Sequence, residues 1–386
     1  MVMRDKLRIA MVGLKGIPAK WGGIEKYVEE IGKRLVQRGH EVTVFGSRWY
    51  CEDYKEDFYK GIRIRRVPTI HSRAADALSN AFFAALVIIF SNYDIVHFHG
   101  YASYYFIPFI KAFGKRTVIT AHGVESGWDN PKYSCLARKI IFGAFRVGIY
   151  QAHQVTTVAN HLKSKIERDF GIKAEVLTSG IVQEKVQPPQ LIKEKYGLQG
   201  EDYVLFLGRI DPIKRVGWVL DTKELLSDNF KIVIAGGAQD SSSNAYLQIL
   251  EQKHKCDPRI IFTGPVFGDE KAELYSNCIL FLSPSQDEGL PITLLEACSY
   301  GKCPIVTDIE AYREVIKNGL NGFLFPKDDK NEFINITNKV INMPAESIKN
   351  MGLEAKKTVE ARFSWDVTLH SYEKLYSDLL SSSSKN

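Results

Sequence analysis

The chain lacks the short-range cysteine pairs that would make a redox or metal motif. Its six cysteines (Cys51, Cys135, Cys256, Cys278, Cys298 and Cys303) are scattered with no C-x-x-C among them. That excludes a disulfide framework and a zinc site, and it fits a reducing compartment such as the cytosol. Long apolar runs are missing too. The longest, Ala81–Phe90, falls well short of the roughly 20 residues that cross a bilayer. The charged opening Met1–Lys6 is followed only by the strand-length run Ile9–Val12, without the h-region and cleavage site of a signal peptide. Absent as well are G-x-G-x-x-G, a P-loop, a nucleophilic-serine elbow and any D-x-D. The last absence leaves no candidate ligands for a metal-bridged diphosphate, so no metal site and no cofactor are expected.

What is present suits an ordinary globular protein: 386 residues, 45% hydrophobic and 25% charged, enough for two domains with separate cores. The net charge of +6 hides an asymmetry. Residues 1–185 hold 28 Lys/Arg against 17 Asp/Glu, or +11, and the remainder carries −5. A basic half suits nucleic acid, an anionic membrane face or a phosphorylated substrate, and uneven surface charge is the plain alternative. No Arg-rich run interleaved with aromatics occurs, which sets nucleic acid aside.

Short apolar runs alternate with helical spacings. Leu7–Val12, Glu41–Phe45, Ile62–Val67, Asp94–His97, Thr117–Thr120, Val155–Val158 and Ala174–Leu177 read as strands. Between the first two, Ile24, Tyr27, Val28, Ile31 and Leu35 recur at helical spacing and stop at Arg38-Gly39-His40. The two prolines of residues 183–190 break the series. A second series follows: Tyr203–Leu207, Lys231–Ile234, Ile260–Phe262, Ile279–Leu282 and Pro304–Val306. This predicts an α/β protein of two doubly wound parallel-sheet (Rossmann-like) domains, residues 1–182 and 191–364, with ligands in the cleft that the carboxyl ends of both sheets face. A late helix over 365–380 is expected to pack back on the first domain, and 381–386 to form a disordered tail.

Chemistry concentrates in Glu288–Glu296. Gly289 lets backbone approach a ligand, and Pro291 suits the first turn of a helix whose free N–H groups would take an anion. A carboxylate there would repel phosphate, but it binds sugar and ribose hydroxyls well. Pro291 to Glu296 spans roughly 7.5 Å of helix, near the reach from a diphosphate to its ribose. Two surface glutamates flanking an ordinary helix are the bland alternative. Upstream, the strand Tyr203–Leu207 runs into Gly208-Arg209-Ile210-Asp211-Pro212-Ile213-Lys214, a glycine and two cations suited to a pyrophosphate leaving group. Gly22-Gly23 before a helix offers a close phosphate approach or simply a tight turn. His97, His99 and His122 fall at strand ends, whereas His40 in its helix stop reads as structural.

These segments resemble the family 4 retaining glycosyltransferases, of GT-B fold, over nearly the whole chain. The resemblance implies that Glu288 contacts the donor sugar, Glu296 the ribose, and the backbone of Gly289, Leu290, Pro291, Ile292 and Thr293 the diphosphate. Arg209 and Lys214 inherit the leaving-group role, Gly22 and Gly23 match the G-G-x-E opening, and His122 sits where the family places a histidine near the reacting sugar. His97 and His99 would be acceptor-side groups. The implied reaction moves a sugar from a nucleotide diphosphate sugar to an acceptor hydroxyl, with retention and without metal. The acceptor could be a glycan, a lipid-linked glycan or a small molecule, and the +11 first half with the aromatic-rich stretch Tyr101–Phe109 points to an anionic surface at the inner face of the cell membrane as a further partner. The opening G-I-P-A-K-W-G-G-I-E is similar to a subgroup labelled rhamnosyltransferase-like. Thr178-Ser179-Gly180 departs from the family's Pro-Asn-Gly. An epimerase of the same architecture and a non-catalytic nucleotide-sugar binder are the alternatives.

Overall fold

The structure, a computed structural model, describes residues 6–20, 23–70, 75–123, 134–181, 185–225 and 230–381. Gly22 lies outside them, as do residue 182, residues 183–184 of the proline-containing stretch 183–190 expected to link the domains, and 382–386 of the expected tail 381–386. The chain divides into two compact units, Met1–Gly180 with Trp365–Asn386, and Ile181–Ser364.

The first unit is built on β1 (Arg8–Val12), β2 (Glu41–Ser47), β3 (Phe58–Tyr59), β4 (Ile62–Val67), β5 (Ile95–Phe98), β6 (Arg116–Ala121), β7 (Gln154–Thr157) and β8 (Glu175–Val176). They lie in the order β3-β4-β2-β1-β5-β6-β7-β8, parallel throughout except for the β3–β4 pair. Ile9 to Val12 are buried on both faces, as a central strand between helical layers requires. The helix Gly23–Gln37 buries Tyr27, Val28, Ile31 and Leu35. It ends as its R-G-H signal predicts: Gly39 is left-handed at φ +95°, its amide bonds Val36 O at 2.9 Å, and the His40 amide bonds Leu35 O at 3.1 Å. His40 Nδ1 accepts from the Leu7 amide at 3.3 Å, a structural role.

The second unit holds β9 (Tyr203–Leu207), β10 (Lys231–Ala235), β11 (Ile260–Gly264), β12 (Leu280–Ser283), β13 (Cys303–Thr307) and β14 (Phe323–Phe325), ordered β11-β10-β9-β12-β13-β14 and all parallel. Two apolar clusters serve this sheet, one around Leu205, Val233 and Leu294, the other around Phe206, Ile234 and Leu282. Alternate residues of β9 thus feed opposite cores.

Both sheets change winding direction at one point, between β1 and β5 and between β9 and β12. The carboxyl ends of such strand pairs are where open α/β sheets hold ligands. At the first, Gly13 stands at φ +90°, where a Cβ would meet Ser103 Oγ at 2.5 Å and Gly100 N at 2.6 Å. Beside the second, a Cβ on Gly236, which follows β10, would come within 1.8 Å of Gly208 O just past the end of β9. The Thr178-Ser179-Gly180 turn works in packing: Thr178 O accepts from Thr368 Oγ1 at 3.0 Å, and a Cβ on Gly180 would meet Trp365 at 2.4 Å. The helix Trp365–Ser381 begins there and lies in the first unit.

Candidate functional site

In the second unit the chain leaves β9 through Gly208 and turns at once. The Asp211 carboxylate accepts from the Ile213 amide at 3.2 Å, capping the short 3-10 turn Pro212–Lys214. The amide of Gln286, just past β12, bonds Ile213 O at 2.9 Å and ties the two strand exits together. This fixes Lys214 against Glu288, Nζ to Oε1 2.7 Å, with both side chains largely covered. Lys214 Nζ also reaches Asp287 O at 3.5 Å. Tyr312, fully buried, donates to Glu288 Oε1 at 3.3 Å and sits 2.5 Å from Ser283 Oγ. Burial, with the Glu288 charge beside it, drives the Tyr312 phenol well above its ordinary range, so it remains a neutral donor.

Arg209 stays apart from that pair. It is exposed, with Nη1 3.4 Å from Gln239 Oε1 and Nε 3.9 Å from Asp211. The helix with Glu296 runs Ile292–Ser299, so Pro291 is its N-cap residue and not part of the first turn. Pro291 carries no N–H, and the Ile292 amide bonds Leu290 O at 2.9 Å. The amides of Gly289, Leu290 and Thr293 find no acceptor among the described residues. The anion-binding stretch expected over Gly289–Thr293 therefore narrows to these three N–H groups. Glu296 is held by Lys271 Nζ at 2.6 Å on Oε1 and by Tyr275 OH at 3.0 Å on Oε2. Each oxygen keeps a lone pair for a further donor.

In the first unit Gly23 opens its helix and is exposed. Glu25 and Glu29 fold the glycine loop over that helix, taking the amides of Lys15 at 3.2 Å and Ala19 at 2.9 Å. The three histidines form one chain of contacts but differ in access. His97 is completely buried within β5, with Nδ1 2.7 Å from Tyr376 OH and Nε2 2.7 Å from Thr120 Oγ1. His99 stacks on it at 4.4 Å and is 2% exposed. Their expected acceptor-side role is thereby corrected: both lie inside the core. Only His122 is half-buried, its Nε2 3.1 Å from His99 Nδ1. Burial pushes His97 and His122 down to about 3, His97 with His122 as a like-charged neighbour, so all stay neutral imidazoles, His99 included. The tautomers follow. His99 Nε2 faces Met11 Sδ at 3.3 Å, and a thioether only accepts. His99 Nδ1 is therefore the lone pair that takes the Nε2–H of His122, which leaves His122 Nδ1 as an acceptor.

Motif reading missed Lys271, Tyr275, Tyr312 and Gln239. The first three lie on helices with no local signature. The glycine pair Gly236-Gly237 after β10 was a legible strand-end signal beside Gln239.

A family model described as Glycosyltransferase Family 4 matches residues 21–184, and one described as Glycosyl transferases group 1 matches 190–358. The chain is thus a glycosyltransferase, carrying one domain of each description. It is 26% identical to an uncharacterised glycosyltransferase of Methanocaldococcus jannaschii, over 93% of this chain and 95% of that one. It is 25% identical to the N-acetyl-alpha-D-glucosaminyl L-malate synthase of Bacillus anthracis, over 93% and 94%. Among solved structures, sucrose-phosphate synthase from Thermosynechococcus elongatus superposes with a TM-score of 0.83 at 18% identity, covering 98% of this chain and 100% of that one. HepE of Anabaena, solved with UDP and glucose, does so with 0.79 at 17% identity, covering 96% and 99%. These likenesses fix the architecture as GT-B.

Proposed function

We propose that the protein transfers a sugar from a nucleotide diphosphate sugar to an acceptor hydroxyl with retention at the anomeric carbon and without a metal ion. The observation that carries this is the Lys214–Glu288 pair at the β9/β12 switch point, next to the helix bearing Glu296. An ammonium has three N–H groups. Two are directed at Glu288 and Asp287, and the third is left for a phosphate oxygen. Lys214 and Arg209 gain strength as charge builds on the departing diphosphate, the condition for a catalytic interaction. The N–H groups of Gly289, Leu290 and Thr293 take its oxygens, and Glu296 takes the ribose hydroxyls. Glu288 orients the sugar and stabilises positive charge on it, without acting as a covalent nucleophile. His122, through its acceptor Nδ1, receives a hydrogen bond from a donor-sugar hydroxyl. The departing phosphate helps deprotonate the acceptor on the same face.

The relative named for joining a glucosaminyl group to malate and the neighbour holding UDP and glucose support a UDP-hexose class of donor. The rhamnosyltransferase-like opening adds a rhamnosyl donor to those worth trying, and a lipid-linked glycan at the inner membrane face is the proposed acceptor. The test is a panel of nucleotide sugars followed by nucleoside diphosphate release, with and without EDTA. Release with one donor, unaffected by EDTA, is expected, and an α-configured product from an α-configured donor establishes retention. No nucleoside diphosphate from any donor, or an epimerised nucleotide sugar in its place, overturns the reading.

A further inference from the structure

One face of the first unit carries more exposed aromatic surface than a monomer in water needs. The helix Ala75–Ile89 has no charged residue after its buried Asp76, yet Phe82 and Leu86 point outward one turn apart, and Phe90 beyond its end is 85% exposed. The neighbouring segment, a 3-10 turn over Tyr101–Phe106 and the helix Ile107–Ala112, continues the surface with exposed Tyr105, Phe109 and Phe113, again spaced four apart. The patches are contiguous. Phe82 and Phe106 have ring centroids 6.2 Å apart, Phe109 and Phe113 5.2 Å, and Tyr105 OH donates to Ile140 O at 2.7 Å on the helix Cys135–Gln151, where Ile140 is itself exposed. Apolar patches of this breadth mark interaction sites.

The charge around them is of one sign. Among the described residues of 77–123 the sole acid is Asp94, which lies at the start of β5 and accepts from the Arg8 amide at 2.7 Å. Residues 134–152 have none. The cations Lys111, Lys139 and Arg146 on the helices Ile107–Ala112 and Cys135–Gln151 are exposed. A second copy of the chain docking through this face would set cations against cations. An anionic lipid surface supplies negative headgroups for the cations and an acyl boundary for the rings. No helix among the described residues is long and apolar enough to cross a membrane, so the contact would be interfacial.

We propose that the helical face formed by Ala75–Ile89, Tyr101–Ala112 and Cys135–Gln151 docks on an anionic bilayer, with Phe90, Phe109 and Phe113 inserting at the headgroup boundary. It rests on this surface alone and is independent of the transfer reaction. The test is co-sedimentation of the full chain with phosphatidylcholine vesicles, plain or containing about a third phosphatidylglycerol. Binding to the anionic vesicles at least about tenfold tighter than to neutral ones, and weakened by salt, is expected. Phe90→Glu with Phe109→Glu should lower partitioning about tenfold or more, and Lys139→Glu with Arg146→Glu should erase the preference for anionic lipid. Both variants should keep the wild-type circular dichroism, and Glu288→Ala should bind vesicles normally. Three results would overturn it: no vesicle binding, binding unchanged in both variants, or self-association without lipid that Phe90→Glu abolishes.

Discussion

The two switch points solve the same problem with opposite electrostatics. At β9/β12 the working groups are charged, paired and reachable: Lys214 on Glu288, Lys271 on Glu296, and Arg209 in solvent. At β1/β5 the polar groups are neutral and mostly shut in: His97 and His99 lie in the core beneath the tyrosines of the helix Trp365–Ser381, and His122 is half-buried. A leaving diphosphate needs countercharge that is already oriented. Sugar hydroxyls need fixed lone pairs and donors, which neutral rings supply without repelling or binding phosphate. On the proposed reading the cations Lys214 and Arg209 serve the leaving group and the neutral His122 a sugar hydroxyl, with Glu288 the charged group on the sugar.

The sharpest way to break this comparison is to remove the charge from the second unit. Glu288→Ala and Lys214→Ala should each lower turnover about a hundredfold, near 2.7 kcal/mol. Because the two touch, the double variant should lose less than the product of the single losses. Near-normal transfer by both single variants, measured as nucleoside diphosphate release with acceptor, would falsify the site.

The next prediction acts on the neutral site through pH. His97 is held at about 3 in the folded chain by burial, with His122 as a like-charged neighbour, against 6.5 when unfolded. Below 6.5 the unfolded chain takes up a proton that the folded chain refuses, so stability is lost as pH falls from 6.5 toward 3. The slope is up to about 1.4 kcal/mol per pH unit, or ~2 kcal/mol between pH 6.5 and 5. His99 and His122 act in the same direction, as does His153, lowered to about 4 by burial with Lys111 and Arg116 adding. His97→Gln keeps polar atoms facing Tyr376 and Thr120 but cannot titrate. Urea unfolding at pH 7 and pH 5 should show its share of the slope gone, and an unchanged slope means that His97 is not the buried neutral group.

The same contrast explains what sequence reveals. β1, β2, β9, β10, β12 and β13 are legible because a strand buried on both faces must be a continuous apolar run bounded by turn residues, and β4 because its buried Ile62 and Ile64 alternate with exposed arginines. β3 and β14, of two and three residues, are too short to show a period. In the site, Lys214 and Glu288 are legible because countercharge and carboxylate sit at strand exits within recognisable glycine segments. His97 and His99 misled for a physical reason. They lie two apart, His97 in β5 and His99 just past its end, and so share a face, but whether that face is a ligand site or a core depends on Tyr372 and Tyr376, more than 270 residues later in the chain. Pro291 misled on a smaller scale. Its fixed φ suits a first turn, yet at ψ 75° it sits just outside the helix as its N-cap residue.

The gentlest test sits where charged and neutral groups meet. Tyr312 OH is a buried neutral donor aimed at the ionic pair, 3.3 Å from Glu288 Oε1 and 2.5 Å from Ser283 Oγ. Tyr312→Phe removes only that hydroxyl. Lys214 still holds Glu288, and Ser283 Oγ keeps Ser285 Oγ at 3.3 Å. The loss should be that of one long hydrogen bond to a carboxylate, ~1.5 kcal/mol, or about tenfold in turnover. If Tyr312 only positions Glu288, the loss falls on kcat, the donor KM stays put, and Tyr312→Phe in the Glu288→Ala background costs nothing further. A further loss of about tenfold in that background would show the phenol acting on the donor directly and would blur the division between charged and neutral groups.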